Sequence, residues 1–361
     1  MRNAEYWAER AINEMLMGER SVLDYEASLL EAYTVALREI RKDIDAMFTK
    51  YAKNNKITYA EARRRLTTPE LKEFQALVNK WLKEAQAGKW NSEYIKYLQQ
   101  LASAKYVSRL EMLEADIRYQ IEVIENGKYV DITNLLSSNY VAAYYERYYT
   151  VAHGAETQVR FNAVDTIGLE TAVKTKWNTN SYSQLIWNDR DRLVRVVQNI
   201  IPQSFSRGLN SRQLGDMISK EMGTSKNRGR TLARTEVNYI CNKATLDVYK
   251  ACGVERYQYL ATLDMRTSEI CRGMDGTIFK VSQAKVGMNY PPLHPNCRST
   301  TVPYFEDEDA EELERIAKDE TEGTTIRVPR KMTQEEYINT YIPEDQRESL
   351  LAFRKKFYKS E

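Results

Sequence analysis

The sequence predicts a mainly α fold: an elongated helical N-terminal region followed by a small α+β C-terminal domain with a short antiparallel sheet. Three observations carry this expectation. Only 14 glycines and 8 prolines punctuate 361 residues, which favours long helices over a turn-rich β architecture. From Glu5 to about Glu125, apolar residues recur at steps of three and four, the spacing of one helix face. After Gly253 the period becomes two, with Arg256-Tyr257-Gln258-Tyr259-Leu260-Ala261-Thr262 alternating and rich in aromatics, as strands are.

Taken in order, Tyr33, Leu37, Ile40, Ile44 and Met47 form one helical stripe. Lys53-Asn54-Asn55-Lys56 reads as a turn, and Thr58 with Glu61 as the capping box of a short helix. Thr68 suits an N-cap and Pro69 the first helical position before Leu71, Phe74, Val78 and Trp81. Leu110, Leu113, Ile117, Ile121 and Ile124 mark a further helix that is expected to stop at Asn126-Gly127-Lys128. Tyr140, Tyr144, Tyr145, Tyr148 and Tyr149 then crowd one helix, a composition suited to an oligomer or domain contact. A shift is expected at Ile201-Pro202, a helix end at Gly208, and a new N-cap at Asn210 or Ser211. That helix should end at Met222-Gly223, with Thr224 to Arg230 as a basic connection, before a last long helix closes at Gly253. Thr277-Ile278-Phe279 and Ser299 to Pro303 are the candidate partners of the alternating stretch. Four segments result: 1–126, a helical bundle or hairpin; 127–200, a Tyr-rich helical connector; 201–305, a compact α+β domain; and 306–361, an acidic linker and tail.

Composition excludes several classes. Net charge is +2, so no global field draws the chain to nucleic acid or membrane. Mean hydropathy is −0.62 and no apolar run nears the 18 or so residues of a membrane span, so no membrane partner is expected. The start, Met1 to Trp7, is polar, and no signal peptide is expected there. Four cysteines in a chain of this size point to a reducing compartment rather than a disulfide framework. No Walker A loop, GxSxG or HExxH occurs, and no enzymatic activity is expected.

The most informative block runs from Asp264 to Cys297. It holds one of only two histidines and two of the four cysteines. His294-Pro295-Asn296-Cys297 offers two ligands from one loop, Cys271 a third, and Asp264 or Asp275 a hard fourth, so zinc is a candidate cofactor. The alternative is that both thiols pack and His294 pins the loop by a hydrogen bond. A thiol nucleophile with His294 as base, or a nuclease built on Asp264 and Asp275, uses the same residue types but has no further signature. Arg234 and Glu236, two apart on a helix, each need another partner; Arg234 is expected to pair with a carboxylate such as Asp264 or Asp275. Lys226, Arg228 and Arg230 form a local basic excess that could touch a phosphate backbone.

The ordered series Arg207-Gly208-Leu209-Asn210-Ser211, Ala233-Arg234-Thr235-Glu236, Gly253-Val254, Asp264 to Ser268, Cys271, Asp275-Gly276 and His294-Pro295-Asn296-Cys297-Arg298 resembles the phage head morphogenesis family, the minor head proteins similar to the F protein of phage Mu. It covers roughly Trp177 to Phe305. The resemblance implies a low-copy virion component inside the head near the portal, assisting assembly, DNA packaging or genome delivery. Its implied partners are the portal protein, capsid or scaffolding proteins, and packaged double-stranded DNA bound without sequence preference. Relatives that carry a CxxC could complete a Cys3His zinc site; here Ser268 stands in place of the first cysteine. A metal-dependent nuclease or toxin-like enzyme on the same scaffold is the rival reading.

Overall fold

The computed structural model describes residues 4–154, 164, 166–305, 314–318, 325–329, 336 and 340. Among them are α1 (Ala4–Tyr51), α2 (Tyr59–Ala62), α3 (Thr68–Ala87), α4 (Ser92–Ala102), α5 (Arg109–Gly154), α6 (Thr166–Lys174), α7 (Tyr182–Ser206), α8 (Ser211–Ala251) and α9 (Glu269–Met274). The strands are β1 (Arg256–Leu260), β2 (Ile278–Lys280), β3 (Thr300–Tyr304), β4 (Glu314–Lys318) and β5 (Thr325–Pro329). The mainly helical class and the small antiparallel sheet are as expected. That sheet has the order β2-β1-β3, with Tyr257 opposite Phe279 on one side and Pro303 on the other.

Two helices run on where the sequence suggested stops. α5 continues through Asn126-Gly127-Lys128, and α8 through Gly223 and the supposed basic connection. A glycine ends a helix by taking positive φ. Gly208 and Gly253 do so, at 64° and 69°, and both terminate helices; Gly127 and Gly223 do not. Pro202 likewise sits inside α7. There the buried stripe Leu193, Val197, Ile201 and Phe205 carries the helix past the lost backbone donor. Asn210 proves to be the N-cap of α8: it accepts from the Gln213 N–H at 2.9 Å while Gln213 accepts from the Asn210 N–H at 3.0 Å. The N-cap of α3 is Thr67, in a capping box with Glu70, one residue earlier than expected.

A Cβ added at Gly127 or Gly223 meets nothing within 4 Å. Gly127→Ala and Gly223→Ala should therefore each raise stability by up to about 1 kcal/mol in urea unfolding, through lower chain entropy and better helix propensity. A loss of stability at either site would mean the helix ends there after all.

The chain divides into two compact units, neither of them contiguous in sequence. One comprises Met1–Tyr25, Ile132–Tyr182 and Thr231–Glu361; the other comprises Glu26–Asp131 and Ser183–Arg230. These cut across the four sequence segments because α1, α5 and α8 each contribute to both.

In the second unit, Phe74, Val78 and Trp81 of α3 pack with Tyr94 and Leu98 of α4 and Ala115 of α5, and Trp81 stacks on Tyr119 at 4.6 Å. A buried polar seam accompanies this core, where Lys128 meets Glu125 at 2.6 Å and the Ser225 hydroxyl donates to Asp189 at 2.5 Å.

In the first unit, the tyrosines of α5 are spent largely on the fold. Tyr140, Tyr144 and Tyr148 are buried and stack in series, and Tyr140 donates to Asp247 at 2.9 Å. Tyr145 and Tyr149 remain exposed. Between 306 and 361 an acidic linker and tail were expected; the described part is the β4–β5 hairpin, with Ile316 opposite Arg327. Its alternating Thr325-Ile326-Arg327-Val328 had been masked by the acidic composition before it. The remainder of that segment lies outside the described residues.

Candidate functional site

The site is assembled in the first unit from three pieces: the end of β1, the short helix α9, and the His294–Cys297 turn leading into β3. Ser268 is the N-cap of α9, its hydroxyl accepting from the Cys271 N–H at 3.3 Å. This cap aims the Cys271 side chain inward, where it is 2% exposed. The turn at His294–Cys297 closes because Asn296 adopts a φ of 58°, a conformation asparagine tolerates better than most residues. Its N–H donates to the Thr235 hydroxyl of α8 at 2.9 Å. Asn238 and Asn242, one and two turns further along α8, donate to the Ser299 carbonyl at 3.0 and 3.2 Å. The second half of α8 is thus a rigid platform for the loop.

These elements bring Cys271, His294 and Cys297 together, with their ligating atoms all within 4.8 Å of one another. Cys271 Sγ lies 3.7 Å from Cys297 Sγ and 3.2 Å from His294 Nε2. His294 Nδ1–H donates to the Pro295 carbonyl at 2.8 Å; since a carbonyl only accepts, the lone pair is left on Nε2, facing the sulfurs. Hydrogen bonds shared with Cys297 and His294 hold the Cys271 thiol well below its ordinary range, while the neighbouring Cys271 and burial push Cys297 up. The His294 imidazole is raised, chiefly by its bond to Cys271. The Tyr259 hydroxyl donates to Cys271 at 3.4 Å, and Tyr259, Ala261, Met274, Phe279 and Leu293 wall the cluster with apolar surface.

This geometry fits a zinc ion in three respects. With Zn–S near 2.3 Å and tetrahedral angles, two ligating sulfurs sit about 3.8 Å apart, close to the separation here. Nε2 is the ring nitrogen left free for a metal, and the shared hydrogen bonds favour ionisation of the Cys271 thiol. The fourth corner is occupied by Ser268, whose Oγ is 2.8 Å from His294 Nε2. A hydroxyl is a poorer zinc donor than a thiolate, so the residues present fit a Cys2His centre whose fourth position is the weakly donating Ser268 hydroxyl.

The acidic candidates are placed elsewhere. Asp264, 1% exposed, accepts from both terminal nitrogens of Arg298, from the Thr267 hydroxyl at 2.9 Å and from the Arg266 N–H at 3.0 Å. Burial raises its pKa, but the Arg298 hydrogen bonds outweigh that and hold it below the usual carboxylate range. Asp275 caps the end of α9 and accepts from the Ala261 N–H at 2.9 Å. Neither joins the Cys–His cluster. The guanidinium paired with Asp264 is therefore that of Arg298, where the sequence had suggested Arg234. Arg234 is half-buried on α8. Glu236, 5% exposed, accepts from the Trp177 indole N–H at 3.2 Å through both oxygens, and burial pushes its pKa up to about 7.

Lys226, Arg228 and Arg230 lie on α8 in the other unit. Arg228 meets Asp189 at 2.8 Å and Arg230 meets Glu26 at 2.9 Å, so two of the three charges are compensated. Sequence reasoning missed Arg298, Trp177 and Thr235 as supports of the site. Arg298 and Thr235 had a signal, since they stand in the motifs His294-Pro295-Asn296-Cys297-Arg298 and Ala233-Arg234-Thr235-Glu236; Trp177 had none.

Residues 195–302 match the family model described as Phage Mu protein F like protein. An uncharacterized protein of Haemophilus influenzae is 28% identical over 124 residues, which are 34% of this chain and 28% of that relative. The chain thus covers under a third of that relative's length. No solved structure matches.

Proposed function

We propose that this chain, whose residues 195–302 match the family model of phage Mu protein F like proteins, is a low-copy minor capsid protein. It acts at the portal and the head interior in assembly, DNA packaging or genome delivery, with a structural rather than catalytic role. The family match over the α8 platform and the Cys271–Cys297 block carries this reading. It is supported by the cost the fold meets to hold that block: a buried ion pair at Asp264, a positive-φ asparagine and a closed Cys–His cluster. No helix among the described residues is long and apolar enough to cross a membrane. The test is quantitative mass spectrometry of procapsids and DNA-filled particles. A few copies in both, in fixed ratio to the portal, are expected, and absence from both sinks the reading. Divalent-ion-dependent cleavage of plasmid DNA would favour the nuclease alternative.

In this role Cys271, His294 and Cys297 staple two loops, and zinc is the ion they suit. The purified chain should carry one zinc by elemental analysis, lost in His294→Ala and in Cys297→Ser. Zinc held at a hundred times its dissociation constant would stabilise the fold by about 2.7 kcal/mol. Ser268→Cys, which supplies a fourth strong ligand, should tighten binding. A metal-free protein whose unfolding midpoint ignores added zinc would leave only the hydrogen-bonded pin.

A further inference from the structure

The second unit carries a basic surface that neither the motif block nor the basic stretch of α8 foreshadows. It is made where the end of α1, the short α2, and the loops before α3 and α5 meet. Residues 50–65 contain six lysines and arginines against a single acidic residue, Glu61. Backbone pairing makes the surface one body: Lys53 bridges Lys56, Arg65 bridges Ser108, the Leu66 N–H donates to the Val107 carbonyl at 2.8 Å, and the Arg109 N–H to the Arg64 carbonyl at 3.0 Å. The Gly208 turn between α7 and α8 reaches it as well, since a Cβ there would lie 3.7 Å from Lys56.

The carboxylates nearby are already committed. Glu70 takes Lys50 and the Tyr51 hydroxyl, and Glu61 takes Arg64 and Arg109. Lys53, Lys56, Arg63, Arg65 and Lys105 are exposed and, among the described residues, have no carboxylate partner. Two of the five are pre-oriented. Arg65 lies over the Tyr106 ring at 4.2 Å and Arg63 over Tyr59 at 5.7 Å, with Tyr106 61% and Tyr59 38% exposed. A guanidinium laid on a ring keeps its donor edge free for bidentate contact with a phosphate.

We propose that this surface, Lys53, Lys56, Arg63, Arg65 and Lys105 with Tyr59 and Tyr106, binds the phosphate backbone of duplex DNA without sequence preference. The proposal rests on the head-protein reading for its choice of DNA as the polyanion at hand. It moves the contact away from Arg228 and Arg230, whose charges are met internally. A protein partner is disfavoured by the absence of an apolar anchor: the exposed large apolar side chains here are the two tyrosines, each under an arginine. Protein interfaces concentrate their energy in desolvated apolar centres, whereas nucleic-acid interfaces are polar and strongly positive.

Fluorescence anisotropy of the full chain with a random-sequence 30-bp duplex, titrated from 50 to 200 mM salt, tests it. Five neutralised phosphates give a slope of log K against log salt near −4.5, a loss of about 10²–10³ over that range. The quintuple variant Lys53→Ala/Lys56→Ala/Arg63→Ala/Arg65→Ala/Lys105→Ala should flatten the slope by about 4.5 and abolish binding at 150 mM salt while keeping its circular dichroism. Should the quintuple variant misfold, Arg65→Glu alone is expected to weaken binding at least about tenfold. The control Lys72→Ala/Lys83→Ala/Lys96→Ala, exposed lysines of α3 and α4, should bind almost as the parent does. No binding by the parent at 50 mM salt, an unchanged slope in the variants, or equal weakening by the control overturns the proposal. The first of these leaves an acidic protein as the ligand, while particle mass spectrometry judges the head-protein reading separately.

Discussion

Asp264→Ala is expected to lower the unfolding free energy of the unit holding the Cys–His cluster by about 3 kcal/mol, the low end for removing one member of a buried ion pair. Asp264 is 1% exposed and gathers Arg298, Thr267 and the Arg266 N–H on one carboxylate. Its removal strands the Arg298 guanidinium and the Arg266 N–H, while the Thr267 hydroxyl keeps the Thr262 carbonyl. The low end applies because the Arg298 side chain keeps 24% of its surface in water. Asp264→Asn retains an acceptor and should lose less, about 1–2 kcal/mol. Adding Arg298→Met to Asp264→Ala should restore part of the loss, since the stranded cation goes too. The folded carboxyl has a depressed pKa. Its contribution is therefore present above the unfolded value, near pH 3.9, and is lost as pH falls through the folded one. Urea midpoints at pH 7 and pH 3 measure both effects; a wild-type loss below pH 4 undiminished in Asp264→Ala would exclude this carboxyl as its source.

Glu236→Gln should do the opposite and stabilise the protein at alkaline pH. Burial raises the folded pKa of Glu236 from 4.5 to about 7, and its hydrogen-bond partner is the Trp177 indole. The sign is that of a raised acid. Stability is fullest below the unfolded pKa and falls as pH climbs from about 4.5 through about 7, because the folded state holds the proton more tightly. At about 1.4 kcal/mol per pH unit the penalty above pH 7 is at most roughly 3 kcal/mol. Glutamine keeps an acceptor for the indole and never ionises. The variant should therefore exceed the parent by 1–3 kcal/mol at pH 8 and match it near pH 4.5, allowing for its buried amide donors. Parallel pH profiles of parent and variant would place the ionisation elsewhere; Glu14, which burial raises to about 7 against the pull of Arg147, is then the next group to replace.

Much of this was legible from residues alone, where the signal is local. Stripes such as Ile40, Ile44 and Met47 are buried as their spacing requires. Gly208 and Gly253 end their helices, and the switch to alternation at Arg256 marks a strand paired on both sides. The convergence of Cys271, His294 and Cys297 was also within reach, because three scarce residue types in one turn-rich block narrow the choices. Gly127, Gly223 and Pro202 misled because each is a stop signal only if the chain has nothing to gain by continuing. In α7 the stripe ending in Ile201 and Phe205 outweighs one missing backbone donor.

The sequence by itself determined the helical class, the strand block and the likeness of residues 195–302 to the phage Mu F-like family model, because periodicity and motif order are properties of the chain. Only the tertiary structure decided which charges cancel. Arg298 rather than Arg234 answers Asp264, Trp177 answers Glu236, and Asp189 and Glu26 answer Arg228 and Arg230, while the cluster around Lys56 and Arg65 has no carboxylate partner among the described residues. Ion pairing depends on a few ångströms between residues tens to hundreds of positions apart, and a linear pattern holds no record of that distance.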